Sequence, residues 1–186
     1  KFSVVYQGYY LIGETKTGDE GDTYSLVMLD TAGNDSVTAT TKEDRPELEK
    51  KVKEKNDSTG AETDWQDAAD YDIGDDVPFQ LTGTVDAKYD NYGSYYYAFH
   101  DTMSDGLTFN ADSVTVTVDG TAVTTGYEVD TEDLDDSCTF EVRFADLKSI
   151  KAVKAGSKVV VNYTAKLKEN AVIGQGGNTN ESKLEY

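Results

Sequence analysis

Hydrophobic and polar positions along this chain alternate with period two in a series of short runs, the pattern of half-buried strands. Across 75–85, Val77, Phe79, Leu81, Gly83 and Val85 fall on one face and polar residues on the other. Across 95–103, Tyr95, Tyr97, Phe99, Asp101 and Met103 share one face, and Tyr96, Ala98, His100 and Thr102 the opposite one. Two shorter runs follow at 107–109 and 113–118, the second alternating Val114, Val116 and Val118 with polar residues. Asp119-Gly120 carries the chemistry of a two-residue type I′ hairpin, so 121–129 reads as the returning strand. Cys138, Phe140, Val142 and Phe144 mark a further strand, and Val159, Val161, Tyr163, Ala165 and Leu167 line one face of 157–167, with Asn162 turned away. One helical turn is expected within 145–155, and 168–182 reads as a long Gly- and Asn-rich connection before a short strand at 183–186. The pattern predicts an all-β protein.

The first 45 residues hold four short runs, at 1–6, 8–12, 24–29 and 36–41, separated by Gly- and Asp-rich turns. These are too few strands to close a sandwich, and the segment reads as the C-terminal part of a preceding β domain. The charged KEDRP stretch at 42–46 is a junction, its proline disfavouring helix before it. The second domain, 46–186, opens with PELEKKVK, where Leu48, Lys50 and Val52 share a face. Lys50 is thereby directed inward and Lys51 outward, unless the whole stretch is a solvated charge run. A polar excursion at 56–69 brings Trp65 toward the sheet edge, and Pro78 places its strand near an edge or at its own start.

Asp101 breaks the pattern. A carboxylate on an aromatic face must find a partner or keep its proton, because desolvation disfavours its charged form. The alternative is that Asp101 ends its strand and caps the turn before Ser104-Asp105-Gly106.

Charge removes several function classes. With 36 acidic against 17 basic residues the formal net charge is -19, spread through loops, which excludes nucleic acid and anionic membrane surfaces as partners. The acidic loops at 19–22, 70–76 and 130–136 lack the Asp-x-Asp-x-Asp-Gly spacing with a distal Glu, and read as solvated surface. No apolar run approaches the roughly 20 residues of a membrane-spanning helix. Residues 1–6 do not form a signal peptide, so the sequence reads as an excised piece of a longer, exported chain. The single Cys138 excludes an internal disulfide and, in phase with Phe140, reads as a small buried residue. His100 lies on the opposite face from Asp101, reads as a surface or inter-sheet residue, and gathers neither a Ser-His-Asp triad nor a metal-ligand set. No enzyme, cofactor or metal is therefore expected. The alternative function is a ligand-binding patch for glycan or host protein at Tyr92, Tyr95 and Tyr96 beside Asn91 and Gly93, although such aromatics also pack against neighbouring domains.

Four stretches, PELEKKVKE, DIGDDVPFQLTGTV, YYYAFHDTMSDGLTFN and VVVNYTAKLKENAVIGQGGNTNESKLEY, carry a resemblance in order and spacing. Residues 46–186 resemble the fimbrial isopeptide-forming domain of pilins and related surface adhesins of Gram-positive bacteria. GYYLI, SLVML and SVTATTK similarly look like the end of the domain that precedes it. The resemblance implies an immunoglobulin-like β-sandwich of the CnaA/pilin type, whose first and last strands are joined by a spontaneous Lys-Asn isopeptide bond. Carried over by position, the reactive lysine is Lys50, with Lys51 the fallback, and the assisting acid is Asp101. Burial among aromatics serves that chemistry, since it lowers a lysine pKa and raises that of a carboxylic acid. The family places the acceptor Asn just after a Leu-x-Tyr pattern, so it is expected beyond Tyr186. Asn162, Asn170, Asn178 and Asn180 are internal candidates that fall in the loop or, for Asn162, on the wrong face. The lysine joined to the next subunit by sortase in shaft pilins falls here on Lys42, in a degraded Thr40-Thr41-Lys42 context. The implied role is a structural or stalk module of a pilus or surface adhesin, extracellular on the cell wall, with other pilin subunits as partners and a host surface ligand as the alternative.

Overall fold

A computed structural model describes residues 46–55, 59–132, 134, 136–174 and 177–186, together with the backbone of two short strands nearer the N-terminus. The chain divides into two compact units, Lys1–Asp44 and Arg45–Tyr186. In the first, β1 (Tyr9–Ile12) pairs antiparallel with β2 (Val27–Asp30), Tyr9 opposite Asp30. Lys42 and the 19–22 loop lie outside the described residues.

The second unit is a sandwich of two antiparallel sheets. Its strands are β3 (Leu48–Val52), β4 (Asp76–Thr84), β5 (Tyr97–Met103), β6 (Leu107–Val118), β7 (Thr121–Val123), β8 (Glu128–Asp130), β9 (Phe140–Phe144), β10 (Lys158–Leu167) and β11 (Asn180–Glu185). One sheet has the order β3-β4-β10-β6-β7 and the other β11-β5-β9-β8. The first and last strands of the unit thus form the edges of different sheets. The alternation read from the sequence is the burial pattern observed: Val77, Phe79 and Leu81 of β4 and Val159, Val161, Tyr163 and Ala165 of β10 face inward, against Tyr97 and Phe99 of β5 and Phe140, Val142 and Phe144 of β9. Fully burying a side chain of this size is worth about 1.5–3 kcal/mol, which is why strand phase is so strongly specified. Aromatic rings tie the layers together, Phe109 stacking on Phe140 at 3.7 Å and Tyr163 meeting Phe140 edge-on at 5.0 Å, while Phe79 stacks on Tyr163 within the first sheet at 5.4 Å.

Several expectations hold in detail. Asp119 and Gly120 both take positive φ, 47° and 81°, as a type I′ turn requires. Pro78 sits third in β4, paired with β10 and just beyond the reach of β3. The 56–69 excursion returns to the sheet edge through a bridge between Val52 and Gln66, and Lys53 Nζ lies 5.0 Å over the Trp65 ring. Leu147–Ser149 supplies the single turn expected in 145–155, as a 3-10 segment.

Three readings are corrected. The two runs at 107–109 and 113–118 form one strand, β6, interrupted by a bulge where its register with β10 shifts between Asn162 and Thr164. The strand expected over 121–129 divides into β7 and β8, which join different sheets; Gly126, at φ 90°, lies in the crossing. The closing strand begins at Asn180 rather than Lys183, so the long connection is shorter than the polar composition suggested.

Candidate functional site

The site lies between the sheets, where edge strands β3 and β11 approach β5. Along β3, alternation places Lys50 between Leu48 and Val52 and directly across from Leu81 of β4. Its side chain is 15% exposed, and its Nζ donates to Asp101 Oδ2 at 2.6 Å. Lys50 Nζ also lies 5.7 Å over the Phe79 ring and 3.4 Å from the Glu181 carbonyl of β11. Lys51 points outward to Asp67 at 2.8 Å and Glu49 at 3.3 Å.

Asp101 is fully buried in the middle of β5, flanked by Phe140 of β9 and Ser182 of β11. It does not end the strand, which continues to Met103. Besides Lys50, its Oδ2 accepts from the Tyr163 hydroxyl at 2.8 Å, and that hydroxyl accepts from Asn180 Nδ2 at 3.0 Å. Tyr163 comes from β10 of the opposite sheet, so the chain Lys50, Asp101, Tyr163, Asn180 stitches both layers. Two oxygens complete the picture: Asp101 Oδ1 and Asn180 Oδ1 are buried without a hydrogen-bond partner among the described residues.

Burial drives the electrostatics. Desolvation pushes the Asp101 carboxyl up from its ordinary value, more than Lys50 and Tyr163 pull it down. Desolvation likewise pushes the Lys50 amine down, more than Asp101 and Glu181 raise it. Both shifts favour the neutral forms, an amine with a free lone pair beside a carboxylic acid holding a proton. Tyr163 is held well above the usual phenol range, first by burial and then by Asp101.

The asparagines fall into place by strand phase. Asn162 is on the outer face of β10, bonded to Gln80. Asn170 bonds the Asp105 carbonyl and Asn178 the backbone of Val172, which locks the loop. Asn180 alone of the four reaches the Lys50 and Asp101 cluster, and sequence reasoning left it in a loop because the polar stretch 168–182 gives no period-two signal. In β11, Ser182 stands opposite Asp101 and Glu185 opposite Ala98. Each residue past Glu185 along this register moves about 3.3 Å further from Asp101.

The aromatic patch is altered. Tyr95 is buried, 6% exposed, packed edge-on against Tyr89 at 5.1 Å and Tyr92 at 5.6 Å, so it presents no surface; only Tyr92 and Tyr96 do. His100 is also buried, correcting its surface reading, and four potential metal donors, itself included, do converge at its ring.

Among known proteins, the family model for the Gram-positive pilin backbone subunit 2, Cna-B-like domain, matches residues 73–186. The pilus backbone RrgB of Streptococcus pneumoniae is similar in structure at 24% identity and a TM-score of 0.55, over 75% of this chain and 52% of that one. A 35 kDa C-terminal fragment of the major pilin GBS80 of Streptococcus agalactiae is similar at 21% identity and a TM-score of 0.55, over 76% and 50%. The major pilin SpaA of Corynebacterium diphtheriae, whose structure is described as pointing to a modular pilus assembly with stabilizing isopeptide bonds, is similar at 18% identity and a TM-score of 0.52, over 73% and 32%. These likenesses carry the fold. The chain spans about half or less of the length of these structures. No curated protein matches it.

Proposed function

Because this chain belongs to the family of Gram-positive pilin backbone subunits with a Cna-B-like domain, we propose that it is a structural segment of a surface pilus whose sandwich crosslinks itself between Lys50 and Asn180, with Asp101 as the assisting acid. The role is that of a self-modifying structural subunit, not of an enzyme. Residues 1–45 are assigned to the preceding domain of the same subunit, with Lys42 as the candidate for sortase linkage to a neighbouring pilin.

The observation that carries this reading is the pair of orphaned oxygens. A proton on Asp101 Oδ1 gives it a donor to offer, and Asn180 Oδ1 is an acceptor lacking one. An Asp101–Asn180 hydrogen bond of that kind satisfies both atoms at once and polarises the Asn180 carbonyl. The neutral Lys50 amine then attacks Cγ of Asn180. The new Nζ–Cγ bond forms, one amine proton passes through Asp101 to the departing Nδ2, the Cγ–Nδ2 bond breaks, and one ammonia leaves. Tyr163 positions both partners, donating to Asp101 and accepting from Asn180. Asn180 is favoured over an asparagine beyond Tyr186 because the β11 register carries later residues away from Asp101.

Intact mass decides it. The chain is expected to weigh one ammonia less than its sequence, and Lys50→Ala, Asp101→Ala and Asn180→Ala are each expected at full mass. A full-mass parent overturns the crosslink; an ammonia-short Asn180→Ala overturns Asn180 as the acceptor.

A further inference from the structure

The outward face of the β5 and β9 sheet carries a second cluster, separate from the crosslink site. His100 is next to Asp101 in β5 and therefore points the other way, between Glu141 of β9 and Lys183 of β11. Its Nε2 lies 3.0 Å from Glu185 Oε2. Its Nδ1 lies 3.0 Å from Asp136 Oδ2, 3.1 Å from Glu141 Oε1 and 4.0 Å from Cys138 Sγ, and Cys138 Sγ is 3.9 Å from Glu141 Oε1. One atom from each of His100, Asp136, Cys138 and Glu141 falls within 4.8 Å of every other.

The imidazole alone cannot donate to every acceptor gathered around it. Glu185 takes the Nε2 hydrogen, which leaves Nδ1 with either a lone pair or one hydrogen. Asp136 Oδ2 and Glu141 Oε1 both face that single position, and the Cys138 thiol donates to Glu141 Oε1. Lys183 gives partial relief, its Nζ 3.7 Å from Asp136 Oδ2, but it is largely exposed.

We infer that His100 Nδ1, Cys138 Sγ, Asp136 Oδ2 and Glu141 Oε1 form a four-coordinate site for a borderline divalent cation, zinc being the best match. Around an ion with nitrogen and oxygen at about 2.0–2.2 Å and sulfur at about 2.3 Å, the corners of a tetrahedron stand about 3.3–3.8 Å apart. The observed spacings bracket those edges, so small side-chain shifts close the site. A mixed N, S and O set selects zinc over calcium or magnesium, which take oxygen alone. Glu185 is the outer carboxylate that fixes the imidazole tautomer and turns Nδ1 toward the ion. Binding displaces the thiol proton to solvent, and the cation offsets most of the charge of one thiolate and two carboxylates, leaving the site singly negative. The bound ion ties β5, β9 and the preceding acidic loop together, with β11 held through Glu185.

The test titrates the chelator-stripped chain with Zn²⁺ by calorimetry and with Co²⁺ by absorption. One equivalent of Zn²⁺ is expected with proton release, and Co²⁺ is expected to show sulfur-to-cobalt charge transfer in the near ultraviolet. Cys138→Ser removes that band, and Asp136→Asn weakens binding more than tenfold. Glu185→Gln lowers affinity about 10- to 100-fold while keeping the stoichiometry. Asp136 is partly exposed, so Asp136→Asn folds and decides the matter even if a variant at the buried positions does not. Absence of saturable uptake, or uptake undiminished in both Cys138→Ser and Asp136→Asn, overturns the site.

Discussion

Asp101 on β5 and Tyr163 on β10 meet across the sandwich, hydroxyl to Oδ2, at 2.8 Å. The two residues belong to different sheets, so this bond fixes the sheet separation at the point where Lys50 and Asn180 arrive from the edges. A phenol in that place gives the acid a partner without adding charge, and its hydrogen bond joins Lys50 in opposing the upward push of burial on the Asp101 carboxyl.

Tyr163→Phe follows directly from this geometry. It keeps the ring stacked on Phe79 and removes the hydroxyl that positions both Asp101 and Asn180. The expected result is crosslinking that is slowed at least tenfold rather than abolished, read as the fraction of ammonia-short protein against time after refolding. Stability of the uncrosslinked form falls by about 1–3 kcal/mol, the cost of leaving a buried polar group without its partner.

Asn180→Ala is expected to fold but to lose the proposed covalent tie between β3 and β11. A loop of this length closed by a crosslink is worth roughly 4–5 kcal/mol on the chain-entropy model. The urea midpoint of Asn180→Ala should drop accordingly, with a slope that is little changed or slightly steeper. A midpoint equal to the parent's would mean the bond contributes nothing to stability.

The same variant keeps Lys50 and Asp101 free to titrate, which gives a pH signature. The folded Asp101 carboxyl titrates above its ordinary 3.8, so the folded state holds that proton more tightly, and this contribution is full at low pH and lost as pH rises toward the folded value. The folded Lys50 amine titrates below its ordinary 10.5, so its contribution grows as pH climbs from the folded value toward 10.5. Against a partner variant also carrying Lys50→Met and Asp101→Asn, Asn180→Ala should show a shallow minimum in relative unfolding free energy between these limits. A flat difference across the range would refute the neutral-pair electrostatics.

Gly83 is predicted to be intolerant of any side chain. A Cβ there would collide with the Tyr97 hydroxyl and stand 2.9 Å from Phe99 Cζ, while that hydroxyl donates to the Thr84 carbonyl at 3.0 Å. Both rings are fully buried and cannot swing away. Gly83→Ala should cost about 1–3 kcal/mol, as overpacking of a filled core does, measured by thermal or urea melting.

Much of this is legible in the sequence. Period-two alternation placed Lys50 inward, Lys51 outward and Asp101 on the aromatic face, because burial of one face leaves a strand only one stable phase. Asn180 escaped because β11 is a half-exposed edge strand of mostly polar residues, and polar edges carry little phase information. Tyr95 reads as surface because it abuts the polar Tyr92, Gly93 and Ser94 stretch, yet its ring fills a pocket among Tyr89, Tyr92 and Tyr97. The donors around His100 come from β5, β9 and the residues just before β9, and no spacing in a single stretch announces them. Only the pairing of Glu141 with His100 across two strands brings them together.

The placement of β3 and β11 on the edges of separate sheets has a mechanical side. In a sandwich held by hydrogen bonds alone, tension entering along the first strand and leaving along the last must shear the two layers past one another before it is transmitted. With Lys50 bonded to Asn180, the pull crosses from one edge to the other through a single amide near Asp101, and the aromatic interior never enters the force path. The core would then serve as the mould in which that amide is cast, and extension of the folded unit would be limited to the few residues outside the bond.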